Sequence, residues 1–365
     1  MWYFDPKNLK AIHFELSNYC NAACPYCPRE CRPEPESVLH KDTHFLDFNL
    51  IKNNFNKDIT PNFIATNLCG CWGDPLTHPE FLNIIDYFVT EFPTIQIKIH
   101  TNGGLRSVNF FTKLARTLSK SKSMCGIIWG LDGLEDTNHI YRKNVKWEKV
   151  QENFRAFNSA GGISEWQFIM FPWNVHQIDE AKQRAKEENF FLFETKISFR
   201  DKEYRDQMPP EFRHVSASAS KIDTSKYQAY KSRNTTFPQF NGIESTPFNH
   251  RDKQTNKRVK CNSQQDGRIF VMSDGTVWPC NEYGNPEHEW SFPEVRELEK
   301  KYNARYINSL NNFDLEHIMN NDYWDHIYST HASADYYRNC SRSCGLLVNN
   351  DNVTIGFDQV NREIL

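Results

Sequence analysis

Cys20-Asn21-Ala22-Ala23-Cys24-Pro25-Tyr26-Cys27 is the stretch from which the rest of the chain is read. Its three thiols stand at spacings of three and then two residues, directly after a run from Ala11 to Ser17. In that run Ile12, Phe14 and Leu16 alternate with His13 and Glu15, which predicts a strand with one apolar face. The cysteine loop follows the carboxyl end of this strand. A [4Fe–4S] cluster has four irons, and iron–sulfur proteins usually give each one a cysteine. Three close ligands leave one iron with an open position, as catalytic metal sites do and structural ones do not. Cys31 lies four residues past Cys27 and could complete a closed four-thiolate zinc site, which is the competing reading.

Outward from this loop, strand and helix patterns alternate. Phe45 to Phe55 is helical in pattern, and Phe63 to Leu68 reads as a second strand entering the turn Cys69-Gly70-Cys71-Trp72-Gly73-Asp74-Pro75. Thr77 and Glu80 suggest a capping box ahead of a helix with Phe81, Ile84, Ile85 and Phe88 on one face. Ile95 to Ile99 is a strand closed by Thr101-Asn102-Gly103-Gly104, and a third helix runs from about Val108. Cys125 to Leu131 is a strand ending in Asp132-Gly133. Trp147, Val150, Phe154 and Phe157 mark a fourth helix, and strand, helix and strand follow at 166–171, 178–188 and 190–197. Alternation of this kind predicts an α/β fold with a parallel sheet, open or curled into a barrel, whose ligands sit at the carboxyl ends of the strands. The turns after the first four strands therefore converge on one rim.

From Arg200 to Lys260 the apolar pattern gives way to a polar linker or insertion. Residues 268–280 then read as a hairpin, with an Asp274-Gly275 turn between two strands. The expected organisation is a core over 1–200, the polar stretch 201–260, and a small α+β domain over 261–365 holding Cys261, Cys280, Cys340 and Cys344. Eleven cysteines with no basic-then-apolar start at the N-terminus read as metal-binding or catalytic thiols in a reducing cytoplasm, not as a disulfide framework. A net charge of −3 gives no footprint for nucleic acid or an anionic membrane. No apolar run approaches the roughly 18–20 residues that span a bilayer.

Together these features resemble the radical S-adenosylmethionine (radical SAM) superfamily over residues 10–200. The resemblance rests on Cys20, Cys24 and Cys27 with aromatic Tyr26 before the third, on Trp72-Gly73-Asp74-Pro75, on the Thr101-Asn102-Gly103 and Asp132-Gly133 turns, and on Tyr141-Arg142. It implies a partial (β/α)6 TIM-like barrel and a SAM-binding [4Fe–4S] cluster on the three cysteines. It also implies reductive cleavage of SAM to a 5′-deoxyadenosyl radical, which abstracts hydrogen from a substrate. The C-terminal part is similar to SPASM/Twitch extensions, which implies an auxiliary [4Fe–4S] cluster, two clusters in all, and an oxidoreductase or modifying activity. Four cysteines, spaced x18, x59 and x3, fit one auxiliary cluster; a structural zinc competes for them. Where relatives often carry Ser two residues before the Asp of the Asp-Gly turn, this chain has Gly130, so a hydroxyl contact to SAM is lost.

The cofactor-binding candidates are Tyr26, Gly73, Asp74, Asn102 and Arg142. Asp74 offers a carboxylate to the SAM ammonium, or is an ordinary turn residue before proline. Gly73 lets backbone approach the ligand. Asn102 suits the ribose or adenine edge, and Asn-Gly is also the commonest of turns. The fork of Arg142 matches a carboxylate; a solvated helix-end Arg is the alternative. The substrate expected is a small molecule or a peptide, with a slight lean to the former, and a one-electron reductant such as flavodoxin or ferredoxin serves the cluster. The rival class is a non-catalytic iron–sulfur or zinc scaffold or electron carrier.

Overall fold

Alternating apolar strands and amphipathic helices form as their periodicity predicts. The computed structural model describes residues 4–25, 27, 29, 43–197, 258–259, 261, 263–264, 267–284, 293–332, 345–349, 352–354 and 360–364. In chain order the first elements are β1 (Ala11–Phe14), α1 (Phe48–Asn54), β2 (Ala65–Leu68), α2 (Phe81–Glu91), β3 (Gln96–Thr101), α3 (Val108–Leu118), β4 (Gly126–Gly130), α4 (Asn138–Tyr141), α5 (Trp147–Ser159), β5 (Ile163–Met170), α6 (Ile178–Glu187) and β6 (Leu192–Ile197). After these come β7 (Arg258–Val259), β8 (Arg268–Val271), β9 (Val277–Trp278), five further helices from Asn281 to Ala332, β10 (Gly345–Asn349), β11 (Asn352–Thr354) and β12 (Val360–Ile364). Of the polar stretch 201–260 only β7 falls within the described residues. The strand–helix alternation from β1 to β6, with parallel pairing, is the α/β, partial TIM-like class; neither unit's sheet closes on itself.

The chain divides into two compact units that interleave in sequence. One comprises residues 1–18, 34–71 and 245–357; the other comprises 19–33, 72–244 and 358–365. In the first unit β1 lies between two parallel neighbours, pairing Ala11 with Ala65 of β2 and with Arg268 of β8. The expected hairpin forms: β8 and β9 are antiparallel, Gly275 takes φ +83° in the turn, and Asp274 Oδ1 accepts from Thr276 N at 3.0 Å. Trp278 packs edge-on to Tyr323 at 5.6 Å and donates to Thr276 Oγ1 at 2.8 Å, so its indole N–H is satisfied in the core.

In the second unit β3, β4, β5 and β6 are parallel in that order, and β12 pairs antiparallel with β6, matching Ile364 to Leu192. One face of these strands is aromatic. Trp129 of β4 packs with Phe111 of α3 and with Phe154 and Phe157 of α5, and Trp166 of β5 packs with Phe190 and Phe193. The other face is polar: Lys98 pairs with Glu165 at 3.0 Å, and Glu194 accepts from Gln167 at 2.9 Å and pairs with Lys196 at 3.3 Å.

One expectation is corrected. Thr77 and Glu80 form no capping box: the N-cap Glu80 of α2 makes no side-chain cap bond. A 3-10 turn at Pro75–Thr77 intervenes, and Thr77 Oγ1 donates instead to Asp74 O at 2.7 Å and Tyr19 O at 3.1 Å. His78 Nδ1 accepts the Glu80 N–H that the box would have served.

Candidate active site

The cysteine loop belongs to the second unit and is tied down along its length. Tyr19 O accepts from Asp74 N at 2.8 Å, Ala23 N donates to Lys143 O at 3.1 Å, and Cys27 N closes a turn on Cys24 O at 3.0 Å. Arg29 Nη1 donates to Cys20 O at 2.8 Å. Backbone groups that would otherwise lack partners thus find them within the loop or in the turns beside it.

Two polar clusters meet the loop. In the first, Asn102 at the end of β3 donates through Nδ2 to Asn21 Oδ1 at 2.9 Å and Asp74 Oδ2 at 3.0 Å, and reaches Cys20 Sγ at 3.6 Å. Asp74 Oδ2 also accepts from Thr101 Oγ1 at 2.8 Å and Asn102 N at 3.0 Å, while Oδ1 accepts from Leu76 N at 3.0 Å. Only 4% of Asp74 is exposed, and its carboxylate is engaged on both oxygens. Burial pushes its pKa up, and the hydrogen bonds from Asn102, Thr101 and Leu76 pull it back. In the second cluster, Asp132 after β4 is wholly buried; Oδ2 accepts from Arg142 Nε at 2.6 Å and Oδ1 from Ile169 N at 2.7 Å. Arg142 Nη1 reaches Cys24 Sγ at 3.8 Å. Burial works against the Arg142 charge, but Asp132 and Cys24 outweigh it and push the guanidinium pKa up.

Cys20, Cys24 and Cys27 are free thiols close enough to act on one another electrostatically. Burial, reinforced by Asp74, pushes the Cys20 thiol up to about 12. Burial also pushes Cys24 up, opposed by Arg142. Unbridged thiols held together in this way fit a cationic iron–sulfur group, whose binding would stabilise their thiolates. Three further residues join the clusters: Thr101 and Asp132, whose turns the sequence marks without naming their partners, and Asn21, which no motif singles out.

Residues 14–185 match the family model described as Radical SAM superfamily. These are the residues of a radical SAM superfamily domain. Among solved structures, native anSMEcpe with bound AdoMet and Cp18Cys peptide matches at TM-score 0.55 and 11% identity, covering 96% of this chain and 92% of that one. Streptococcus suis SuiB bound to precursor peptide SuiA matches at TM-score 0.51 and 14% identity, covering 91% and 68%. Another SuiB structure, with S-adenosylmethionine, is spanned over 61% of its length. At these identities the likeness is one of fold. No curated protein compared with the chain matches it.

Within the radical SAM domain Cys20, Cys24, Asp74, Asn102 and Arg142 are brought together, with Cys27 in the same loop and Gly73 partly exposed beside Asp74. Tyr26, Cys31, Cys340 and Cys344 lie outside the described residues. Cys261 and Cys280 are both half-buried in the first unit. Cys125 is buried, with Sγ 3.4 Å from Ile95 O, as a structural thiol would be. No helix among the described residues is long and apolar enough to cross a membrane.

Proposed function

We propose that this radical SAM enzyme cleaves SAM reductively at a [4Fe–4S] cluster on Cys20, Cys24 and Cys27 and abstracts hydrogen from a polar substrate. The observation that carries the reading is the double anchorage of the loop, with Asn102–Asp74 at Cys20 and Arg142–Asp132 at Cys24. When bound, the cluster and SAM supply one-electron cleavage of the sulfonium bond. The chain's own residues hold and orient. Arg142 donates toward Cys24 Sγ and presents its remaining N–H groups to a SAM carboxylate, and Asp74 fixes the β3 turn that sets Asn102 beside Cys20 for the ribose. Gly73 and Tyr26 belong to the same proposed cofactor site.

The substrate is polar because the face of β3–β6 opposite Trp129 presents Lys98, Glu165, Gln167, Glu194 and Lys196. A peptide fits such a face, and the two anSMEcpe and SuiB structures above were obtained with peptides bound. A small polar molecule fits it as well, and labelled candidates of both kinds separate them. Cys261, Cys280, Cys340 and Cys344 are proposed to hold one auxiliary cluster that relays electrons, and a flavodoxin- or ferredoxin-type reductant supplies the one electron that SAM cleavage consumes.

Anaerobically reconstituted protein is expected to hold about eight irons per chain and to release 5′-deoxyadenosine from SAM on reduction. Zinc-loaded, colourless protein that leaves SAM intact would overturn the reading. Loss of SAM cleavage with the iron retained in Arg142→Lys or Asn102→Ala separates cofactor binding from cluster binding.

A further inference from the structure

Gly130 ends β4 on the polar face of the sheet, in register with Gln167 of β5. A Cβ built there would overlap Arg142 Nη2 and lie 3.0 Å from its Cζ. The guanidinium therefore lies in the volume that any other residue at 130 would fill. Three further contacts hold it: Asp132 Oδ2 at 2.6 Å on Nε, Cys24 Sγ at 3.8 Å on Nη1, and the Tyr141 ring with its centroid 5.3 Å from Cζ. Asp132 is itself anchored from β5 by Ile169 N, so the pair is fixed from two strands.

We propose that Gly130 is a positioning residue that seats Arg142 against Cys24, and that the seated guanidinium raises the reduction potential of the cluster held there. The inference rests on the cluster assignment given under Proposed function. Its physics is local. A cation donating N–H to a ligating sulfur withdraws electron density from the thiolate and favours the more negative, reduced cluster. Fixing the donor removes the entropic cost of finding it. Missing bulk at 130 then does more than forgo a hydroxyl, because it makes room for a permanent cation one ligand away from the irons. The effect operates before SAM arrives, which separates it from a carboxylate-binding role for the same arginine.

The test is an electrochemical titration, monitored by electron paramagnetic resonance, of reconstituted full-length protein without SAM. Wild type is compared with Gly130→Ala, which adds one methyl group at a backbone position that accepts it, and with Arg142→Lys. Both variants are expected to keep the iron content of wild type. At a poise set to the wild-type midpoint, the ratio of reduced to oxidised cluster is expected to fall about tenfold, close to 59 mV for a one-electron couple. If Arg142→Lys loses iron, Gly130→Ala carries the comparison, since it removes no hydrogen-bonding group. Unchanged potentials in the iron-loaded variants overturn the proposal, and so does a loss of SAM affinity with no change in SAM-free potential. Wild type that holds no iron on the triplet overturns the cluster reading first, and is recognised before any potential is measured.

Discussion

From sequence Asp74 is a carboxylate for a ligand ammonium or an ordinary turn residue before proline, and in the fold its carboxylate is also a four-donor hub. Replacing it by Ala strands the Thr101 hydroxyl and the Asn102 and Leu76 amides in a buried site. Asp74→Ala is therefore expected to destabilise the protein by about 2–4 kcal/mol, against a smaller loss for the shape-conserving Asp74→Asn. Urea unfolding of the two variants checks this, and SAM affinity is to be compared only between variants that remain folded. Cys20 makes a second prediction at this scale. Its folded pKa is raised from an ordinary 9.0 to about 12, so between those values the folded chain binds more protons than the unfolded one. Stability of the metal-free protein from this group is held below pH 9 and falls as pH rises toward 12. The same protonation means that iron loading near pH 8 releases about two protons from Cys20 and Cys24, measurable in weakly buffered solution and lost in the double Ala variant. The cysteine spacing was legible because the three thiols come from one loop. The Asp132–Arg142–Gly130 arrangement was not, because a side chain filling the space above a distant glycine leaves no local pattern.

Among the elements, the six strands β1 to β6 and the helices between them, the four-residue α4 excepted, were legible from period, since each apolar face is buried against its neighbours. Boundaries and caps were less so. Thr77 matched the spacing of a capping box, but the 3-10 turn capped by Asp74 claims its hydroxyl first. The β3 turn gives a quantitative test. Gly103 has φ +73°, and an added Cβ would sit 2.8 Å from the Trp129 ring and 3.0 Å from Val150, whereas Gly161 has φ +84° with open space around it. Gly161→Ala is expected to cost about 1–2 kcal/mol, the intrinsic penalty of left-handed backbone. Gly103→Ala is expected to cost more, the excess being the collision with Trp129. Chemical denaturation of both variants isolates that excess, and equal costs would mean the turn moves freely away from the indole.

At the scale of the molecule, strand pairings between distant segments escaped the sequence. The 268–280 hairpin was legible from its Asp-Gly turn, but not that β8 would lie parallel to β1, nor that β12 would pair with β6. Both join segments far apart in the chain, and nothing in a four- or five-residue run names its partner. Deleting residues 358–365 exposes the ladder edge of β6, and is expected to lower the unfolding temperature and to promote association through that edge. Light scattering against wild type at equal concentration checks the second effect.

The placement of β8 has a consequence in time. On the ribosome β1 emerges shortly before β2, which can join it early. Residues 268–271, its other neighbour, follow only after the whole strand–helix series has been made. Until then one side of β1 offers unpaired amides and carbonyls. The first unit can complete its sheet only by closing a very long loop, at the slow, high-contact-order end of folding. A nascent chain arrested before residue 268 is thus expected to engage chaperones where the finished protein does not, a difference that pull-down from stalled translation complexes would register.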